Sequence, residues 1–399
     1  MRFLPHTDAD RAAMLEDIGL DSIRDLFADI PAEFLQEPGK LDLPVARSEA
    51  EIVRHFNAAA EQNRHTGNSR YFLGGGSYHH FIPAVVDYII SRGEFLTAYT
   101  PYQPEIAQGT LQALFEFQTM IARLTGMDIA NASMYEAATA LAEAALMARR
   151  ISRRTRVVIS GSVNPRYREV NRNYLKRLEG GIVEVPCSGF STDVDALIQA
   201  VDTQTACVIV QYPDFFGSVY DFAPVRAACD ANGCLLIVAF SDASAFGLID
   251  PPGAFDADIV IGSGQALGIP MGFGGPHLGL FACKQKYLRQ MPGRLCGMTT
   301  DSSDRRGFVL TLSTREQHIR RDRATSNICT NQGLMCTAAA VYMSLLGDAG
   351  LHTVAEKSAA ALQKLVSGLP KEVHPAAGAH YNETVLSFTD QKTRDRFLN

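Results

Sequence analysis

Apolar positions along this chain follow two rhythms. Up to about residue 150 they recur mostly at helical spacing. Beyond residue 156, short unbroken apolar runs alternate with helical stretches. Helices are predicted over Ala9–Ile18 and Ser22–Ile30, broken by Gly19 and Pro31. Ser48 opens another, with Glu51 placed to close a capping box, and Pro38, Gly39 and Pro44 mark an irregular linker before it. Gln108–Thr125 reads as a helix stopped by Gly126, and Ser133 as the cap of a helix over Tyr135–Arg150 with Glu136 three residues on. Strands follow at Val157–Ser160, Ile182–Pro186, Ala206–Gln211, Leu235–Phe240, Ile259–Ile261 and Leu278–Ala282. Between them lie helical patterns at Pro165–Arg177, Val194–Ala200 and Pro224–Asn232. This alternation predicts an α/β fold whose mainly parallel sheet is covered on both faces. Helices at Thr337–Leu346 and Leu351–Leu369 and a strand at Thr384–Phe388 complete the pattern. The expected organisation is a helical N-terminal arm (1–70), a large domain (71–335) and a small α+β C-terminal domain (336–399). The last is expected to be incomplete, because the chain stops inside a further helix.

Composition narrows the function classes. At 399 residues, 46% apolar and 20% charged, the chain suits a well-packed globule of more than one domain. A formal charge of −6 argues against a nucleic-acid partner. Apolar runs such as Leu235–Phe240 are too short to span a bilayer, and the polar, acidic start MRFLPHTDAD does not read as a signal peptide. The eight cysteines form no CxxC pair and mostly sit in apolar runs. They are expected to be buried reduced thiols of a cytoplasmic protein, and the ten histidines are not spaced to make a zinc site with them.

Ligands of parallel sheets bind at strand carboxyl ends, which singles out Asp242 and Ser263–Gly264–Gln265. Other candidates lie outside the strands. Residues 71–110 are rich in Gly, Tyr, Pro and His without long periodicity, a composition frequent in functional surfaces. In this stretch Gly74–Gly76 precede Tyr78, His79 and His80. The glycines can let backbone approach a ligand or simply turn the chain, and His79 and His80 can be acid–base groups or ordinary loop residues. Tyr99, Tyr102 and Gln103 sit in the Pro-punctuated YTPYQP, as hydrogen-bond donors to a ligand or as interface packing. Arg315, His318, Arg320, Arg321 and Arg323 form a basic cluster, suited to an anion or to salt bridges between subunits. Thr325, Ser326, Asn327, Thr330 and Asn331 follow, able to fix their own loop or reach a phosphate.

Several stretches together carry a resemblance. They are FLTAYTPYQPEIAQG (Phe95–Gly109), QTMIARLTGMDIANAS (Gln118–Ser133), QYPDFFG (Gln211–Gly217), GQALGIPMGFGG (Gly264–Gly275), PGR (Pro292–Arg294) and REQHIRRDRATSNICTNQ (Arg315–Gln332). In that order they resemble the N-terminal half of the glycine cleavage system P-protein, which in many bacteria is a separate alpha subunit. Glu136 stands where the family usually has Asp. The resemblance implies a pyridoxal-phosphate (PLP) transferase fold of type I, with a mainly parallel seven-stranded sheet and a small C-terminal domain. It implies glycine dehydrogenase (aminomethyl-transferring) activity as part of a complex. There glycine is decarboxylated and its aminomethyl group passes to the lipoyl group of H-protein. The partner is a homologous beta subunit that carries the PLP lysine, giving a heterotetramer.

The loop DIVIGSGQALGIPMGFGGP (Asp258–Pro276) has the layout of the loop that bears the PLP lysine in such enzymes, yet the reactive position falls on Gln265. An amide nitrogen, its lone pair delocalised, cannot form a Schiff base. None of Lys40, Lys176, Lys284, Lys286, Lys357, Lys364, Lys371 and Lys392 follows a strand and precedes a Gly-rich turn. The chain alone is therefore expected to hold no PLP covalently. Asp242, at the place of the carboxylate that pairs with the pyridine nitrogen, reads as vestigial or as a simple turn cap. Tyr99, Tyr102, Gln103, His79, Arg320, Arg321, Thr325 and Asn327 are the candidates for entering the partner's site. The alternative is a purely structural or regulatory partner that contributes no residue to it.

Overall fold

The computed structural model describes residues 6–36 and 42–398. Pro38, Gly39 and Lys40 of the expected linker lie outside them. Contacts group the chain into two units, 1–70 and 71–399. The first holds α1 (Asp8–Ile18) and α2 (Glu49–Ala60). Gly19 closes α1 at φ 72°, and Ser48 and Glu51 cap α2 reciprocally, at 2.8 and 3.4 Å. The helix expected over Ser22–Ile30 is only a 3-10 turn at Ile23–Phe27. Ser22 and Asp25 tie its start, and Pro31 disfavours helical backbone at Ile30.

The second unit begins with α3 (Ala84–Ile90), α4 (Gly93–Leu96), α5 (Gln108–Thr125), β1 (Ile129–Ala130) and α6 (Ala137–Ser152). Next come β2 (Arg156–Ser160), α7 (Pro165–Leu175), β3 (Ile182–Val185), α8 (Val194–Ala200), β4 (Thr205–Gln211) and β5 (Ser218–Val219). The run continues with α9 (Ala223–Asn232), β6 (Leu235–Phe240), β7 (Ile259–Ser263) and β8 (Gly279–Cys283). Seven strands make one sheet in the order β1-β8-β7-β6-β4-β2-β3. β3, β2, β4, β6 and β7 run parallel, and β8 is antiparallel to both neighbours. Side chains alternate across it. Val158, Val208, Val210, Leu236, Val238 and Val260 face a core with α5, α8 and α9. Val157, Ile159, Ile209, Ile237, Ile259 and Ile261 face one with α6 and α7. Burial on both faces explains the unbroken apolar runs, each such side chain contributing roughly 1.5–3 kcal/mol.

The helix expected at Tyr135–Arg150 starts later than predicted. Glu136, not Ser133, is its cap, accepting from Ala138 N at 2.5 Å and Thr139 N at 2.8 Å. Ser133 is held at φ 89° and its hydroxyl accepts from Gln332 N, so the shorter side chain is engaged elsewhere.

Beyond the sheet lie the hairpin β9 (Leu295–Thr300) and β10 (Arg306–Thr311), then the short α10 (Gln317–Arg320). The two helices expected after Thr337 form one element, α11 (Gly333–Ser367), kinked at Gly347. By length and composition α11 could cross a membrane, unlike the apolar runs considered from the sequence. Its first half is instead buried, from Cys336 to Met343, and packs on α3 and α5. The remaining elements are β11 (Val373–Pro375), β12 (Ala379–His380), β13 (Leu386–Phe388) and α12 (Gln391–Leu398). β12 pairs with β5, which carries residues 381–383 to the carboxyl edge of the sheet.

Candidate functional site

At the carboxyl edge, β6 runs out into Ser241 and Asp242 and β7 into Gly264 and Gln265. Asp242 is buried. One of its oxygens accepts from Ser244 N (2.9 Å) and Oγ (2.6 Å). The other accepts from Asn382 Nδ2 (2.7 Å) and lies 3.3 Å from His80 Nε2. Burial alone would raise the Asp242 carboxyl, but the hydrogen bond and charge of His80, with help from Ser244, hold it below the usual carboxylate range. Burial likewise acts to lower His80, and Asp242 outweighs it and raises the imidazole above its ordinary value.

Gln265 is 1% exposed and its amide is fully engaged. Nε2 donates to Ile269 O (2.7 Å) and Tyr78 O (3.0 Å), and Oε1 accepts from Tyr78 N (2.9 Å). The side chain thus pairs with the backbone of Tyr78 as one strand pairs with another. Tyr78 Oη donates to Glu383 Oε1 at 2.5 Å, and Gly75 N donates to Glu383 Oε2 at 2.9 Å. Burial pushes both Tyr78 and Glu383 up. The Gly triplet serves this closure. Gly75 and Gly76 sit at φ 98° and 108°, and a Cβ on Gly76 would come within 3.0 Å of Asn164 Nδ2 and 3.3 Å of Ser241 Oγ. The ligand approached so closely is the chain itself.

A helix N-terminus at this edge is a natural anion seat. That of α6 is taken by the carboxylate of Glu136. The described lysines lie elsewhere. β8 runs antiparallel, so Lys284 leaves it at the opposite edge, 2.9 Å from Asp256 and 3.1 Å from Asp258. Lys176, Lys286, Lys357, Lys364, Lys371 and Lys392 are exposed.

The other candidates divide. His79 is exposed between the inward-turned Tyr78 and His80. Tyr99 is 90% exposed, Tyr102 56%, and Gln103 is exposed. Of the basic cluster, Arg315 is buried and donates to Leu312 O, Met291 O and Gly293 O, which makes it a brace of its own loop. Arg320 is exposed and its side chain donates to Thr314 O, at 3.2 Å, and Arg321 is exposed at φ 53°. Thr325 N donates to Arg315 O, and Asn327 Oδ1 accepts from Gln317.

Arg294, which sequence reasoning did not single out, organises this face. It is 2% exposed. It donates to Thr100 Oγ1 and Tyr102 Oη on one segment and to Cys329 O, Thr330 Oγ1 and Asn331 Oδ1 on another. Its guanidinium lies 5.3 Å from the centre of the Tyr102 ring, whose other neighbour is the His318 ring at 6.5 Å. The structure therefore brings Tyr102 together with residues 329–331. The only signal for this in the sequence is the Pro-Gly-Arg before an apolar strand. In the stretch 71–110, Phe72, Phe81, Tyr88, Leu96, Tyr99 and Ile106 are each exposed.

Comparison with known proteins places these features. The family model described as glycine cleavage system P-protein matches residues 1–399. A protein of Sphingopyxis alaskensis named probable glycine dehydrogenase (decarboxylating) subunit 1 is 55% identical over 356 residues, 89% of this chain and 79% of its own length. A crystal structure of glycine decarboxylase (P-protein) of the glycine cleavage system, in inhibitor-bound form, superposes with a TM-score of 0.90. It is 44% identical, over 98% of this chain and 88% of that one. Oryza sativa TDC, solved with PLP and tryptamine, shares the fold at a TM-score of 0.63 and 11% identity, covering 95% of this chain and 84% of that one. The seven-stranded α/β architecture is thus that of the PLP-dependent fold-type I enzymes, and the chain belongs to the glycine cleavage system P-protein family.

Proposed function

We propose that this chain is the first of two subunits of a glycine dehydrogenase (decarboxylating). In this reading it forms one wall of an active site whose PLP is carried by the second, homologous subunit. The complex decarboxylates glycine and passes the aminomethyl group to the lipoyl arm of H-protein. The observation that carries the reading is the state of position 265: a buried glutamine whose amide is tied to the backbone of Tyr78 and Ile269. The residues around it do not fit the cofactor. The carboxylate that would face its ring nitrogen is taken by His80, Asn382 and Ser244, and the helix N-terminus that would meet its phosphate is taken by Glu136. No step of the reaction is therefore assigned to this pocket. What the chain offers a partner is the exposed apolar and hydroxyl-bearing face around Tyr99, Tyr102, Gln103, Arg320 and Asn327. The relatives' name, subunit 1, fits a paired assembly, here read as a heterotetramer. Eight unpaired cysteines, six of them buried, fit a reducing cytoplasm.

Co-purification with a candidate second subunit, followed by borohydride fixation and a glycine assay with lipoylated H-protein, tests the reading. The expected result is turnover only by the pair, with all fixed cofactor on the partner. Cofactor fixed to a lysine of this chain would overturn it.

A further inference from the structure

Arg294 is almost fully buried, yet it ends in a ring of hydroxyls at the surface. Nη1 donates to Thr100 Oγ1 (3.1 Å) and Thr330 Oγ1 (3.2 Å), and Nη2 to Tyr102 Oη (3.1 Å). A guanidinium has no acceptor atom, so each hydroxyl that meets it must accept and direct its own hydrogen elsewhere. Among the described residues none of those three O–H groups donates to an acceptor, and Tyr102 and Thr330 are exposed. The guanidinium behind them is incompletely balanced. Glu316 Oε2 stands 4.0 Å from Nε, and Nε has no hydrogen-bond partner. Three free O–H donors within reach of one buried cation suit an anionic oxygen. Donors held in place beforehand bind it more strongly than solvated ones, which must reorganise.

We propose that Arg294 is a positioning residue that sets Thr100, Tyr102 and Thr330 as a three-hydroxyl seat for an anionic oxygen, a carboxylate or phosphate, presented by the facing subunit's site. This rests on the reading of the chain as one wall of that site. The two sources of such an oxygen are the glycine carboxylate and the cofactor phosphate, and they separate experimentally.

In the reconstituted pair, Tyr102→Phe removes one donor and one acceptor of Arg294 Nη2, which keeps its bond to Cys329 O. Two quantities are measured: KM for glycine against kcat, and Kd for pyridoxal phosphate by equilibrium dialysis without turnover. A donor to a charged group is worth about 10- to 100-fold. A rise of that size in KM assigns the seat to the carboxylate, and one in the cofactor Kd assigns it to the phosphate. Both constants within twofold of wild type overturn the seat. Arg294→Lys, which keeps the charge but loses the fork, moves the same constant in the same direction. If it leaves that constant unchanged, Arg294 has no positioning role. Should Arg294→Lys fail to fold, Thr330→Val in its place must move the constant that Tyr102→Phe moves, or the seat is excluded. A wild-type pair that turns over no glycine removes the underlying reading, whereas an active pair with an inert Tyr102→Phe removes only the seat.

Discussion

Gln265 and Arg294 do the same structural work with different consequences. Each is a buried polar side chain that ties together segments distant in sequence. Gln265 reaches Tyr78, 187 residues away, and Arg294 reaches Thr100, 194 residues away. Gln265 bonds to backbone groups, and the pairing leaves nothing to offer a ligand. Arg294 bonds to two carbonyl oxygens and to three hydroxyls, and each hydroxyl keeps a hydrogen. The first clamp closes the carboxyl edge of the sheet and the second presents a surface. In this chain the location that the fold reserves for chemistry is the location its side chains have filled, and the free donors lie on the rim. The comparison can be broken by attacking the closed edge and sharpened by probing the rim.

The largest effect is expected at Asp242. Asp242→Ala leaves His80, Asn382 and Ser244 facing a buried gap, and removing one partner of a buried charged network costs about 3–5 kcal/mol. Urea denaturation of the isolated chain reads this directly. A loss under about 1 kcal/mol would mean that the edge is open to water and not a plug.

Gln265→Lys comes next. It restores an amine to the loop but breaks the pairing with Tyr78 and buries an ammonium beside Ile269 O. We expect a stability loss of about 2–4 kcal/mol, from an unsatisfied backbone group and a poorly solvated charge. We also expect no borohydride-fixable PLP, because Asp242 and the α6 N-terminus stay occupied. A stable reducible adduct at the introduced amine would show that the glutamine alone keeps the cofactor out.

These two sites also show what was legible in the sequence. The strands were, because Ala206–Gln211 and Leu235–Phe240 are buried on both faces and so read as unbroken apolar runs. Gly126 as a helix stop was equally local, needing only φ 70°. Gln265 was visible through the loop around it. Its partner Tyr78 was not, since nothing local in YFLGGGSYHH says which strand it will meet. The cap of α6 was misplaced because Ser133 and Glu136 both suit a cap, and tertiary pairing with Gln332 claimed the serine. Arg294 was missed because arginine is ordinarily a surface residue. Only the convergence of residues 100–102 with 329–331 makes its burial tolerable. The hairpin of β9 and β10 escaped for a simpler reason, its apolar positions being interrupted by exposed ones from Met298 to Arg306.

A smaller effect, and one with a sign, is expected from pH. His80 is raised above its ordinary value in the folded chain, so its contribution is fully present below the unfolded imidazole value, near 6.5. That contribution is lost as pH rises through the folded value. Asp242 is lowered, so its contribution is present above the unfolded carboxylate value, near 3.9, and is lost as pH falls through the folded one. The pair therefore stabilises most between those limits. In His80→Gln the loss on going from pH 6 to pH 8 should shrink by about 1 kcal/mol, the scale of one hydrogen bond. Identical pH profiles of wild type and variant, measured by urea midpoints, would mean that His80 does not charge in the folded chain.

The smallest expected effect is at Arg320, and it sets the boundary of the rim. Arg320 is exposed and its side chain donates to a carbonyl of its own loop, so Arg320→Ala should change stability by no more than about 0.5 kcal/mol. It lies outside the ring of hydroxyls that Arg294 holds. In the reconstituted pair it should leave KM, kcat and cofactor affinity within about twofold of wild type. A rim charge acts mainly on encounter, so the change belongs in the association rate of the subunits and in its dependence on salt. If turnover falls while the complex stays intact, the donors around Arg294 are only part of the wall, and the exposed arginines between His318 and Ala324 belong to it as well.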